Sequence, residues 1–543
     1  MNLSTETWDV INAYFRDTPN YLVRHHLDSY NDFINIKLPK IFQKNRQLNV
    51  FQSDSDDIDM NYQLTIYFGG KKADRFYLSH PTIIDHATGQ MRTMLPNEAR
   101  LKNLTYAMDI FYDIEIECTI KKKETYLMKN EPVPDHPFMH RIMLGSIPIM
   151  LQSDKCVLHG LSDEQRFALG ECRYDQGGYF IIDGTEKVII SQERKAENTI
   201  FLGNDLKYQY MAEIKSVSTE LFGFARTTKL QLEPAKNKEP NGPITVRLGQ
   251  QNPFLEPDNG RDMPLFVIFR ALGIETDREI VELIVGADLE SDLANEMINL
   301  LRPSIMDPTI IKNRIYDTES AELYLEKRPR RLNREGKDTP ISRNKEIRLA
   351  FLHQAFNETL FPHCGTNFRD KAYFLGYMTR KLLMHRLGLI PATDKDNHQN
   401  KRFDLSGHML AVTFQDALQQ VQRAARVEIG RKYQFETKTY NNLNYINIVN
   451  PENYRTIFKR EKFIEYFTKS IKIGTFGQKK GVGKVLDRHC WPQTLSELRR
   501  IIDNVPAGSR VTEGRRRIHA TQYGNICYVE TPTGQNIGLN KHL

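Results

Sequence analysis

Residues 499–543 read RRIIDNVPAGSRVTEGRRRIHATQYGNICYVETPTGQNIGLNKHL. Arg499 and Arg500 close a basic helix end, and Pro506, Ala507, Gly508 and Ser509 make a loop tip that leads to Arg510. Three consecutive cations follow, Arg515, Arg516 and Arg517. Two short apolar strands, broken by Gly524 and Pro532, are expected to finish the segment. Cations on a loop reach phosphates while the flanking elements hold the loop in place, an arrangement suited to a polyanion.

The charge balance of the whole chain points the same way. Its 543 residues carry a formal net charge of +7. Residues 455–517 hold sixteen Lys and Arg against six Asp and Glu, a local +10, so the remainder sums to −3. Positive charge gathered in one window is the electrostatic footprint of nucleic-acid binding; a solvated basic face is the plainer alternative. The length predicts about three or four domains. No run of about 18 apolar residues occurs, so no membrane span is expected. MNLSTETWDVINAYF lacks a basic stretch followed by an apolar core, so no secretory signal is expected. The cysteines at 118, 156, 172, 364, 490 and 527 include no C-x-x-C pair, which reads as a reduced, intracellular protein without a structural zinc site.

Apolar spacing predicts an amphipathic helix over 21–48, ended or kinked just before Pro39. Alternation predicts strands through 49–128, with Gly69-Gly70 as a turn, and 145–151 reads as a buried strand. In DQGGYFIIDGTEKV (175–188) the Gly-Gly pair permits unusual backbone angles before the apolar run 179–182. Asp183-Gly184 then turns a hairpin into 188–190. Lys187 and Arg194 are left there as candidates to touch nucleic acid. Residues 233–253 form Pro- and Asn-rich loops, 264–301 a helical stretch and 327–348 a basic segment, a texture that suggests an inserted domain. Residues 371–387 read as a helix returning to the first domain, and 410–431 as another helix.

GQKKGVGKV (477–485) invites a phosphate-loop reading but fails it. With Gly483-Lys484 set on the motif's G-K, Gln478 stands where the first glycine belongs and Val485 where a magnesium-holding hydroxyl belongs. What remains is a flexible cationic loop carrying Lys479, Lys480 and Lys484. Arg488, Arg499, Arg500, Arg510, Arg515, Arg516 and Arg517 are the stronger candidates, because a guanidinium matches phosphate oxygens bidentately. The competing reading pairs Arg488 or Arg517 with Asp487 or Glu530. The acidic cluster Asp54, Asp56, Asp57 and Asp59 reads as a solvated loop rather than a magnesium site, and His25-His26 and His489-Cys490 as structural pairs.

Four stretches in order carry a resemblance: DQGGYFIIDGTEKV, KRFDLSG (401–407), GVGKVLDR (481–488), and HATQYGNIC (519–527) with ETPTGQNIGL (530–539). Together they closely resemble the second-largest, beta-type subunit of multisubunit DNA-dependent RNA polymerases. The resemblance implies a multidomain α+β fold of mixed sheets with packed helices, its lobe inserted into its protrusion. It divides the chain into protrusion (1–200), lobe (201–390), protrusion again (391–450), fork (451–530) and the start of a hybrid-binding region (531–543). It also implies templated nucleotidyl transfer in which this chain holds no catalytic residue and no metal. The magnesium ions would sit on the largest subunit. Implied partners are the DNA template, the RNA–DNA hybrid, the largest and other polymerase subunits and a C-terminal companion of this same subunit, with no membrane. Gln522 and Thr533 replace the histidine and glutamate usual in the family, which removes two ionisable groups. Residue usage hints at a large DNA virus, which would place the protein in host cytoplasm or virion, and otherwise in the nucleus. The alternative function is a non-enzymatic nucleic-acid-binding protein on the same scaffold.

Overall fold

In a computed structural model, residues 3–543 are described except 19, 54–59, 85–88, 125–126, 133–138, 205–208, 219–224, 235–240, 249–261, 287–290, 327–329, 333–337, 341–344, 440–453, 477–480 and 504–512. The acidic cluster, Lys479, Lys480 and Arg510 therefore lie outside the described residues, as do 506–509 and most of 233–253. The chain divides into two compact units, residues 1–194 with 403–543, and residues 195–402.

The first unit is built on an antiparallel six-stranded sheet around the long strand Ala107–Glu124, which pairs with Met60–Phe68, Phe76–Leu78, Leu127–Pro132 and Met139–Pro148. Every second residue from Met108 to Ile116 is buried, as expected for a strand with one face on a core. Helix Ser406–Thr439 packs on helices Arg24–Asp32 and Arg460–Tyr466. Phe414 lies at the middle of that packing, edge-on to Phe33, Phe463 and Phe467 at ring centroid distances of 6.3, 5.2 and 5.7 Å. Such edge-to-face aromatic contacts add to the burial of the rings themselves.

Pro39 does not end its helix. The helix runs Arg24–Asp32, widens into a π-turn at Phe33–Lys37, and continues as Leu38–Lys44. The Leu38 amide donates five residues back to the Phe33 carbonyl, and this wider turn accommodates a proline whose ring would crowd an ordinary one. The hairpin at Asp183-Gly184 forms as its residues suggest. Both have positive φ, +48° and +73°, and strand Phe180–Ile182 pairs with Thr185–Ile189 across them.

The second unit holds a five-stranded antiparallel sheet in sequence order, from Ile200–Gly203 to Asp262–Pro264, backed by helices. The stretch 264–301 is three helices, Leu265–Ala271, Asp277–Val285 and Asp292–Ile305, because Gly273 and Gly286 break it at positive φ. Helix Phe368–Arg386 belongs to this unit and does not return to the first: it packs on strand Tyr210–Ser216 and on helix Asp277–Val285. No helix among the described residues is long and apolar enough to cross a membrane.

Candidate nucleic-acid interface

Helix Arg24–Asp32 is where the sequence motifs meet. Its His26 is fully buried, with Nε2 2.8 Å from the Leu498 carbonyl and Nδ1 3.4 Å from the Ser406 hydroxyl. A carbonyl only accepts, so Nε2 carries the proton and Nδ1 is left to accept from Ser406. Burial lowers the His26 pKa to about 4, against the raising effect of the Leu498 carbonyl. The adjacent His25 is lowered to about 3, by burial and then by its neighbours His26 and Arg499. The Gly407 amide donates to Ser29 Oγ at 3.1 Å. A Cβ on Gly407 would stand 1.8 Å from the Ser29 carbonyl oxygen, so KRFDLSG needs glycine there.

DQGGYFIIDGTEKV makes a bed of charge. The Asp175 carboxylate accepts from the Gly177 amide at 2.9 Å and the Tyr179 hydroxyl at 2.5 Å. Arg100 donates to Glu186 and Glu171, each at 2.8 Å, and to Tyr179 at 2.9 Å. Arg488, from GVGKVLDR, completes the set: it donates to Glu186 at 2.6 Å and to Asp175 at 3.2 Å, and stands 4.8 Å over the Tyr179 ring. Burial alone would push the Glu186 carboxyl up, but Arg488 and Arg100 outweigh it and hold it below the usual carboxylate range. Arg488 thus has internal carboxylate partners, yet neither is Asp487.

Other sequence candidates are also tied into the fold. Arg499 donates to the carbonyls of Leu22 at 2.7 Å and Leu543 at 3.3 Å. Arg500 pairs with Glu497 at 3.2 Å, and Arg515 with the buried Asp503 at 2.6 Å. Arg516 donates to the carbonyls of Gln535 and Ile537 at 2.7 and 2.9 Å. Lys187 donates to the Lys472 carbonyl, and Arg194 pairs with Asp404. Arg517 is different. Its partner is Glu513 rather than Glu530, at 2.6 Å, and the two side chains are 71% and 77% exposed. An exposed pair of this kind contributes little and yields readily to a phosphate. The Lys484 side chain is exposed and forms no hydrogen bond or ion pair among the described residues.

The local structure departs from expectation in two places. Gly483–Val485 is not a loop but a strand, paired with Thr185–Ile189 so that Lys187 faces Val485. Gly474 and Gly483 approach so closely that a Cβ on Gly474 would lie 2.2 Å from the Gly483 carbonyl oxygen. Residues 513–543 do not form two apolar strands. They form 3-10 turns at Glu513–Arg515, Ala520–Gln522 and Gly534–Asn536, and one strand, Asn540–His542. Ile518, Tyr523, Tyr528 and Val529 stay in solvent and Ile526 alone of the large apolar side chains in 518–529 is buried, so there is no alternating buried face to reward a strand. Gln522 is buried and its carbonyl accepts the Ile526 amide, while Thr533 is exposed. Glu530 accepts from the Ser496 hydroxyl at 2.5 Å.

The carboxylates Asp175, Glu186 and Glu171 were not singled out by sequence reasoning. Two of them lie inside the first motif, but Arg488, which explains Glu186, is 302 residues away in sequence. Among the described residues, no group of three or more His, Cys, Asp or Glu is placed to hold a metal ion.

Comparison with known proteins accounts for the meeting of these motifs. Residues 21–450 match the family model described as RNA polymerase beta subunit, and residues 484–543 match RNA polymerase Rpb2, domain 3. The chain is 32% identical over 558 residues to the DNA-directed RNA polymerase II subunit RPB2 of Encephalitozoon cuniculi, covering 99% of this chain and 43% of that protein. It is likewise 32% identical to that of Schizosaccharomyces pombe, covering 99% and 42%, and 29% identical to the subunit Rpo2 of Sulfolobus acidocaldarius, covering 100% and 42%. The chain thus spans less than half the length of these curated relatives. With its motifs bonded to one another and both family models matched in order, this chain belongs to the RNA polymerase beta subunit family.

Proposed function

We propose that the chain forms one wall of the DNA and RNA cleft of a DNA-directed RNA polymerase. In this reading residues 195–402 act as the lobe and the remainder as protrusion and fork, with 531–543 opening the hybrid-binding region. The observation that carries it is the bonding of Arg488 to Asp175 and Glu186, with His26 holding Leu498, which brings motifs far apart in sequence onto one support. A support of that kind suits loops that reach for phosphates. Arg499, Arg500, Arg515 and Arg516 serve as anchors. Lys484 and Arg517, together with Lys479, Lys480 and Arg510, supply the contacts to template and hybrid. The magnesium ions and the nucleotidyl transfer belong to the largest subunit. The assembly works inside the cell, in the nucleus, or in host cytoplasm or virion if the source is a large DNA virus.

Co-purification from expressing cells tests this reading. The expected result is a complex containing a largest subunit that synthesises RNA on a DNA template. A chain that binds nucleic acid but recovers no largest subunit would favour the non-enzymatic alternative.

A further inference from the structure

A second basic feature lies in the first unit, away from the motifs above. The strand pairing of Ala107–Glu124 with Met139–Pro148 shifts register between Tyr112 and Ile114, and Arg141 sits in that irregularity at φ +49°. Positive φ on a residue with a side chain is strained, and a bulge of this kind re-aims a side chain. Two bonds hold the distortion. The buried Asp113 carboxylate accepts the Arg141 amide at 2.8 Å and the Tyr77 hydroxyl at 3.3 Å. The Arg141 guanidinium then stands 5.2 Å over the Tyr77 ring.

Arg141 borders a concavity of about 550 Å³. Phe111, Met143 and the buried Ile142 and Phe458 give it an apolar floor, and Arg455 and Arg460 join Arg141 at its edge. All three arginines are exposed. Arg460 reaches to 3.5 Å from the Met143 sulfur, and Arg455 donates to the Tyr454 hydroxyl at 3.2 Å. Among the described residues, neither Arg141 nor Arg455 has a carboxylate partner. Glu461 is the one acid among the described lining residues, 3.7 Å from Arg460 and exposed with it.

We propose that this hollow is a docking site for an acidic peptide segment of a partner protein that carries one bulky apolar side chain. The volume and the apolar floor suit a side chain inserted into a pocket. Three guanidiniums around one hollow suit carboxylates, which they bind bidentately. A nucleic-acid backbone would call instead for cations strung along a track. The strained bulge fits the same role, since backbone strain of this kind concentrates at ligand clamps.

The test uses the full chain and a fluorescein-labelled peptide of glutamates flanking one phenylalanine, read by fluorescence anisotropy. Arg455→Gln with Arg460→Gln removes two exposed charges. Arg141→Gly removes the third guanidinium and places at φ +49° the residue that adopts it most easily, so a loss of binding cannot come from added strain. Saturable binding that weakens by roughly tenfold or more in each variant is expected, with similar losses when the peptide glutamates become glutamine or its phenylalanine becomes serine. Circular dichroism of each variant should match the unsubstituted chain. The proposal is overturned if the unsubstituted chain does not bind the peptide, or if the variants bind it equally. It is also overturned if a single-stranded oligonucleotide, and not the peptide, binds through these arginines.

Discussion

Arg499 separates an anchor from a contact most sharply. Its guanidinium donates to the Leu22 carbonyl at 2.7 Å, just ahead of helix Arg24–Asp32, whose His26 in turn holds Leu498. Arg499→Met keeps most of the aliphatic stem and removes the donors. A hydrogen bond from a charged group contributes about 1.5–3 kcal/mol, and the Leu22 carbonyl would be left to find water or go unpaired. A local loss of about 2 kcal/mol corresponds to roughly thirtyfold faster amide exchange. Hydrogen exchange followed by mass spectrometry on peptides covering residues 22–32 is the direct assay, since two compact units need not unfold together. The slope of log affinity for duplex DNA against log salt should stay as it was. Unchanged exchange, together with a slope shallower by about one, would show that Arg499 grips phosphate and would refute its role as an anchor.

The opposite pattern is expected for Lys484→Ala with Arg517→Ala: exchange and thermal melting unchanged, and a salt slope shallower by up to about 2. Gly407→Ala puts a methyl group 1.8 Å from the Ser29 carbonyl oxygen, so it should cost about 3 kcal/mol or more, or yield no soluble chain, as read from urea midpoints and expression. His26 is held near pKa 4 in the fold, below the value of about 6.5 expected when unfolded. The unfolded chain therefore binds the extra proton between those values, and stability is fully present above the upper value and falls as pH drops toward the lower one. His26→Gln should flatten that fall in urea midpoints measured at pH 7 and pH 5. Finally, Arg488→Ala and Glu186→Gln should be non-additive, with a coupling energy on the order of 1 kcal/mol in a double-mutant cycle. Their 2.6 Å bond joins partly exposed side chains, so solvent keeps the coupling modest, and strict additivity would mean the charged bed adds nothing.

Local patterns were readable wherever a residue's own chemistry decides the backbone. The Asp183-Gly184 hairpin, the Gly69-Gly70 turn and the helix through 410–431 follow from turn chemistry and apolar spacing. The same reasoning failed where partners decide. At Pro39 it was half right: the helix does not end there, but it departs from α geometry just ahead of the proline, in the π-turn Phe33–Lys37. Residues 518–529 hold no strand because Ile518, Tyr523, Tyr528 and Val529 stay exposed and, of their large apolar side chains, Ile526 alone is buried. The basic window was correct as a count of charge, but a count does not show which cations are already engaged.

Order and identity of the motifs were enough to settle the family and the α+β class, because both depend on residue types at fixed local spacings. The division between anchors and available cations belongs to the tertiary structure. Arg499 and Lys484 are equally basic in the chain, yet one meets a carbonyl from residue 22 while the other faces solvent. Electrostatic and hydrogen-bond energies depend on distance and burial, and neither is set until segments hundreds of residues apart have packed together.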